Sequence, residues 1–105
     1  MPQTDILFRI EQTLIARKAA DASTSYVAAL YAKGIDAVLK KVGEEATELV
    51  IAAKGDDKME ITKEAADLIF HTLVTLAAKN VAFVDVLAEL ARREGTSGIV
   101  EKNSR

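Results

Sequence analysis

The sequence predicts an all-α fold, a bundle of about five helices, on three observations. Apolar residues recur at helical spacing through most of the chain. Ala is abundant and aromatics are few, a balance that favours helices over strands. The only proline, Pro2, stands ahead of every periodic segment. At 105 residues, half of them apolar, the chain reads as one domain, 1–105, with a modest core.

The elements follow in order. Thr4 can cap a first helix whose stripe is Ile6, Leu7, Ile10, Leu14 and Ile15. That helix fades through residues 19–22 into Ser23-Thr-Ser25. A short second helix runs from Tyr26 to about Lys33 and stops at Gly34. The third covers about Ile35 to Lys54 and ends at Gly55. Its apolar positions are Ile35, Val38, Leu39, Val42, Ala46, Leu49, Val50 and Ala53, an arc of roughly 120° at about 100° per residue. After the turn, Asp57 with Glu60 forms an acidic variant of the capping box. The fourth helix continues to about Lys79, with Asn80 as a left-handed cap. The fifth spans roughly Phe83 to Glu94 and stops at Gly95, leaving a polar tail from Thr96 to Arg105.

Composition excludes several function classes. A net charge of −2 with interspersed signs argues against nucleic-acid binding. Without cysteine there is no disulfide, thiolate chemistry or Cys-based zinc site. The amino terminus lacks the basic start and apolar core of a signal peptide, and no apolar run approaches the ~18 residues of a membrane span. The expectation is a soluble cytoplasmic domain that touches neither membrane nor nucleic acid.

The chemistry lies in two acidic clusters, Glu44-Glu45-x-x-Glu48 and Glu64-x-x-Asp67. Each places carboxylates three residues apart on one helix face, and an antiparallel hairpin would bring both clusters to one spot. The third helix alone reads equally well as a solvated surface, with Lys41 one turn before Glu45. The fourth helix is more telling. From Ala65 to Ala78 it is apolar nearly all round, which predicts burial on most sides. Glu60, Glu64, Asp67 and His71 form one narrow polar stripe, flanked by Leu68 and Thr72 on one edge and Phe70 and Val74 on the other. An unpaired carboxylate there costs several kcal/mol. A hard divalent cation with oxygen ligands, Mg²⁺, resolves that cost. His71, one turn after Asp67, is expected to orient that carboxylate or touch substrate rather than bind the metal.

A carboxylate site with Mg²⁺ suits phosphate chemistry, because the cation neutralises phosphate oxygens and acidifies a bound water. Lys33, Lys40, Lys41, Lys102 and Arg105 supply cations, although ordinary solvation is the simpler account of most single lysines. Thr96-Ser-Gly98 reads as a flexible hydroxyl- and amide-rich loop able to hold phosphate.

The pattern Glu-Glu-x-x-Glu, a short turn, then Glu-x-x-Asp resembles the all-α nucleoside triphosphate pyrophosphohydrolase (MazG-like) superfamily. Ser25-Tyr-Val-Ala-Ala-Leu-Tyr-Ala-Lys-Gly34, Lys40-Lys-Val-Gly-Glu-Glu-Ala-Thr-Glu48, Ala65-Ala-Asp-Leu-Ile-Phe-His71, the fifth helix and the tail look like the phosphoribosyl-ATP pyrophosphohydrolase family. The resemblance covers nearly the whole chain. It implies Mg²⁺-dependent hydrolysis of phosphoribosyl-ATP to phosphoribosyl-AMP and pyrophosphate, the second step of histidine biosynthesis, in a form not fused to a cyclohydrolase. It implies metal binding by Glu45, Glu48, Glu64 and Asp67, with Glu44 as a further ligand or water-orienting base. Candidates for substrate contact are Tyr26, Lys33, Lys41, His71, Ser97, Lys102 and Arg105. It also implies a homodimer or larger homo-oligomer, which the surplus of apolar surface on the fourth helix favours independently. The nearest rival is a MazG-like enzyme that cleaves noncanonical nucleoside triphosphates. A rival of another class, a helical interaction module, leaves the polar stripe unexplained.

Overall fold

The computed structural model describes residues 5–95 together with Gly98 and Lys102. Its five helices are α1 (Asp5–Arg17), α2 (Tyr26–Lys33), α3 (Ile35–Ala53), α4 (Lys58–Ala78) and α5 (Phe83–Arg93). The all-α class and the order of elements agree with the sequence reading. The expected Thr4 cap lies outside the described residues.

Local chemistry explains the boundaries. Ser25 Oγ accepts from Ala28 N at 3.2 Å and so starts α2. Gly34 closes α2 and opens α3 at φ +101°, a conformation that a residue with a Cβ adopts only under strain. Asp57 caps α4 through Met59 N at 3.0 Å and Glu60 N at 3.2 Å. Asn80 takes φ +59° just past α4, as its left-handed cap role requires.

The frame is the antiparallel hairpin of α3 and α4, joined by residues 54–57, with α1 packed on α4 and α2 bridging α1 and α3. Leu14, Val27, Leu30, Val38, Leu73, Val74 and Ala77 form the buried core. It sits where the start of α3 meets the end of α4, and Val38 and Val74 are fully enclosed there. The hairpin therefore has an apolar end, clamped by α1 and α2, and a freer end near the turn.

One expectation of burial holds with a gap and another fails within the single chain. From Ala65 to Ala78 the fourth helix is buried or half-buried except at Ala66, Asp67, Ile69 and Thr72, with Ile69 51% exposed. Its neighbours α1 and α3 leave one flank open. The α3 stripe is only half used. Val38 is buried and Val42, Ala46 and Leu49 partly so, whereas Ile35, Leu39 and Val50 face solvent. The last helix, α5, buries none of its residues. It is tethered at its start, where Phe83 meets Phe8 edge to face at 5.8 Å and Glu11 Oε2 accepts from Phe83 N at 2.7 Å. Val84, Leu87 and Leu90 remain exposed beyond that anchor.

Candidate active site

The α3–α4 interface changes character along its length. On α3 the row facing α4 runs Val38, Val42, Glu45, Leu49, at helical spacing of three and four residues. On α4 the opposing row runs Glu64, Asp67, His71, Val74. At the clamped end both rows are apolar; in the middle both turn acidic. Glu45 thus belongs to the inner face, and its side chain is only 12% exposed. Glu44 sits on the outer side at 46%. Sequence spacing set both beside or opposite the apolar stripe; packing against α4 separates them.

Carboxylate oxygens of Glu45, Glu64 and Asp67 all lie within 4.8 Å of one another. This is a hard-oxygen donor set of the kind that Mg²⁺ takes. Glu64 registers the crowding. Its pKa is raised from the ordinary value by desolvation, by a hydrogen bond with Glu60, and by the charges of Glu48, Asp67 and Glu60. Three converging carboxylates whose charges oppose one another fit a divalent cation well.

Glu48 stands outside the trio, beside Lys40, Glu44 and Thr47 on the exposed side of α3. It is still near enough for its charge to act on Glu64. Glu60 belongs both to the cap and to the acidic stripe: its N donates to Asp57 Oδ1 at 3.2 Å, the first half of the expected capping box, and its side chain lies against Glu64.

Lys41 closes the rim. Its Nζ lies 3.3 Å from both Glu44 Oε2 and Glu45 Oε1. Partial desolvation pulls its pKa down, yet hydrogen bonds to Glu44 and Glu45, with attraction from Tyr26 and Glu44, raise it overall.

His71 is the buried polar side chain among the described residues, 6% exposed. Its Nδ1 lies 2.8 Å from the carbonyl oxygen of Asp67 and must donate there, because a carbonyl only accepts. A neutral ring then accepts at Nε2 from the Tyr26 hydroxyl, 3.0 Å away. The Tyr26 and His71 rings meet edge to face at 5.9 Å, and Phe70 packs on His71 at 5.3 Å. His71 thus holds the backbone turn that carries Asp67, and α2 holds His71. Its expected contact is met by the Asp67 carbonyl rather than the carboxylate.

The structure brings Tyr26, Lys41, Glu44, Glu45, Glu64, Asp67 and His71 into one region. Lys33 ends α2 in solvent with no side-chain partner among the described residues. Lys102 is exposed and helical, and Gly98 of the expected phosphate loop is helical as well. Ser97 and Arg105 lie outside the described residues.

A family model described as phosphoribosyl-ATP pyrophosphohydrolase matches residues 7–94. The phosphoribosyl-ATP pyrophosphatase of Novosphingobium aromaticivorans is 59% identical over 105 residues, covering 100% of this chain and 98% of that protein. The Rhizorhabdus wittichii protein of the same name is 59% identical over 102 residues, 97% of this chain and 96% of its own length. The one from Geobacter sulfurreducens is 54% identical over 101 residues, 96% and 94% of the two chains. With a matching family model along most of its length and such relatives from end to end, the chain belongs to the phosphoribosyl-ATP pyrophosphohydrolase family.

Proposed function

We propose that this protein hydrolyses phosphoribosyl-ATP to phosphoribosyl-AMP and pyrophosphate in histidine biosynthesis, using Mg²⁺ held between α3 and α4. The observation that carries this reading is the carboxylate trio of Glu45, Glu64 and Asp67 within 4.8 Å, in a chain of this family. Those three residues would hold the metal, with Glu48 joining from the rim by a change of rotamer. The cation, when bound, neutralises phosphate oxygens and acidifies water.

The chain's own residues supply positioning and proton handling. Glu44, exposed and hydrogen-bonded to Lys41 at the rim, would orient the attacking water and take its proton. Lys41 offers positive charge to the phosphates at the rim. His71 keeps the Asp67 turn in register, and Tyr26 presents an exposed ring edge to substrate beside that turn. Ser97, Lys102 and Arg105 would add tail contacts to the phosphates.

The partner in this reading is a second copy of the chain. The protein exposes 7474 Å², whereas a compact monomer of this length exposes about 5,700 Å². Its radius of gyration is 15.8 Å, against about 13 Å for a compact 100-residue domain. Exposed Leu39, Val50 and Ile51 on α3, Ile69 on α4 and Leu90 on α5 supply the apolar surface that a homodimer would cover. Among the described residues no helix is long and apolar enough to cross a membrane.

Pyrophosphate release from phosphoribosyl-ATP, with and without Mg²⁺ and beside a panel of ordinary and noncanonical nucleoside triphosphates, tests the activity. Fast Mg²⁺-dependent release from phosphoribosyl-ATP alone is expected. Release only from the other triphosphates would move the enzyme to nucleotide clean-up. Sedimentation at micromolar protein tests the dimer, and a monomer there would remove it.

A further inference from the structure

Phosphoribosyl-ATP carries phosphate at two separated ends: the triphosphate of the ATP part, and a single 5′-phosphate on the second ribose. The carboxylates with their cation serve the triphosphate end. The other phosphate needs positive charge elsewhere, because Lys41 stands at the carboxylate rim beside Glu44 and Glu45 and serves the triphosphate end.

A groove of about 250 Å³ lies between α1, the start of α2 and Phe70 of α4. Its floor is apolar, from Ile10, Leu14, Val27 and Phe70, and Arg9 and Arg17 stand on its rim. Spaced at i and i+8, the two arginines bracket the groove about 12 Å apart along the helix axis. Neither guanidinium makes an ion pair or side-chain hydrogen bond among the described residues. Asp21, one turn after Arg17, spends its carboxylate on Ser23 N and Oγ, both at 2.8 Å. Arginine beside apolar surface, with its donors unspent, is suited to bidentate capture of a phosphate.

The groove adjoins the site already described. Phe70 precedes His71 in the chain and packs on its ring at 5.3 Å. Val27 follows Tyr26, whose hydroxyl meets His71 Nε2. From Asp67 to Phe70 is three residues, about 4.5 Å along the α4 axis. A substrate anchored at the carboxylates can therefore extend over Tyr26 and Phe70 into the groove without leaving the protein surface.

We infer that the α1 groove is the subsite for the phosphoribosyl arm, its 5′-phosphate held by Arg9 and Arg17 over the Ile10–Phe70 floor. This rests on the phosphoribosyl-ATP reading of the site. It assigns Arg9 and Arg17 as the residues that distinguish this substrate from an ordinary nucleoside triphosphate, which has no such arm. Binding there is uniform between ground and transition states, so its loss raises KM and spares kcat.

The test is a cycle with the protein and the substrate each altered. Wild type and the Arg9→Ala/Arg17→Ala double variant are assayed on phosphoribosyl-ATP and on the same compound with its single 5′-phosphate removed. The double variant should raise KM for phosphoribosyl-ATP by roughly tenfold to a hundredfold with kcat within about twofold. On the dephosphorylated compound, wild type and variant should have the same KM, because phosphate and guanidinium have lost each other. Arg9→Lys/Arg17→Lys should recover part of the loss. An unchanged KM in the double variant overturns the subsite, as does an equal rise on both substrates. Turnover of phosphoribosyl-ATP by wild type is read in the same experiment, so failure of the subsite is distinct from failure of the activity.

Discussion

Replacing Tyr26 with Phe removes one hydroxyl and nothing else from the link between α2 and α4. The ring stays, so its edge-to-face contact with His71 at 5.9 Å survives. What is lost is the 3.0 Å hydrogen bond to His71 Nε2. His71 is 6% exposed, so water has little access to the vacated acceptor. A buried acceptor left without a partner costs about 1–3 kcal/mol, and the exposed Tyr26 side of the pair argues for the lower half of that range, about 1–2 kcal/mol. For a domain of this size each kcal/mol moves Tm by about 4–8 °C, so a fall of about 4–16 °C is expected. Thermal unfolding followed by circular dichroism measures it, at one fixed protein concentration because an oligomer's Tm depends on concentration. The decisive comparison repeats the change in a His71→Leu background. With the acceptor gone, Tyr26→Phe should be close to neutral, a coupling of about 1–2 kcal/mol. Equal destabilisation in both backgrounds, or no effect in either, would refute the hydrogen bond as the link that holds His71.

Further outcomes follow from the same geometry. Leu14→Ala empties a position 1% exposed at the α1–α4 contact; it should cost about 2–5 kcal/mol by urea unfolding, and a loss under 1 kcal/mol would mean that α1 is not clamped as described. Asp67→Asn, Glu45→Gln and Glu48→Ala should each lower turnover by about two orders of magnitude or more while helical content is kept. Mg²⁺ at about 100 times its Kd should stabilise wild type by about 2.7 kcal/mol and leave the Asp67 and Glu45 variants unmoved. Full activity in Glu48→Ala would confine the metal to the observed trio. Glu64, raised above its ordinary 4.5 chiefly by desolvation and then by Glu60, binds protons more readily folded than unfolded. Metal-free wild type should therefore lose stability relative to Glu64→Gln as pH rises from 4.5 through that raised value, and the difference should then level off. Urea midpoints of the two proteins between pH 4 and about 8 read this directly; a difference independent of pH would show that Glu64 is not crowded.

Helix by helix, the architecture was legible in the sequence because its determinants are local. Ser25 and Asp57 bond amides within three residues of themselves. The special backbone at Gly34 and Asn80 is set by what a side chain permits at that position. The acidic pattern on α3 and α4 likewise needed only helical periodicity to be seen, and it carried the resemblance to the family. Burial was a different matter. The stripe on α3 is wide enough to face two neighbours, and its pattern cannot say which flank the chain itself covers.

Only the packing of α3 on α4 put Glu45 inside the interface and Glu44 outside it, since the angle between helices decides which of two adjacent side chains faces the partner. Within α4 itself Glu60 meets Glu64 and His71 meets the Asp67 carbonyl, and only the Tyr26 phenol reaches His71 from a distant segment, α2. Arg9 and Arg17 carried no signal in sequence, being two charges on an amphipathic helix. They stand over a groove because α1 leans on α4 beside Phe70, a contact between residues some sixty positions apart. Sequence by itself determined the helices and the chemistry they bear, through interactions a few residues long. Tertiary structure decided which of those groups meet, because that depends on contacts between segments distant in the chain.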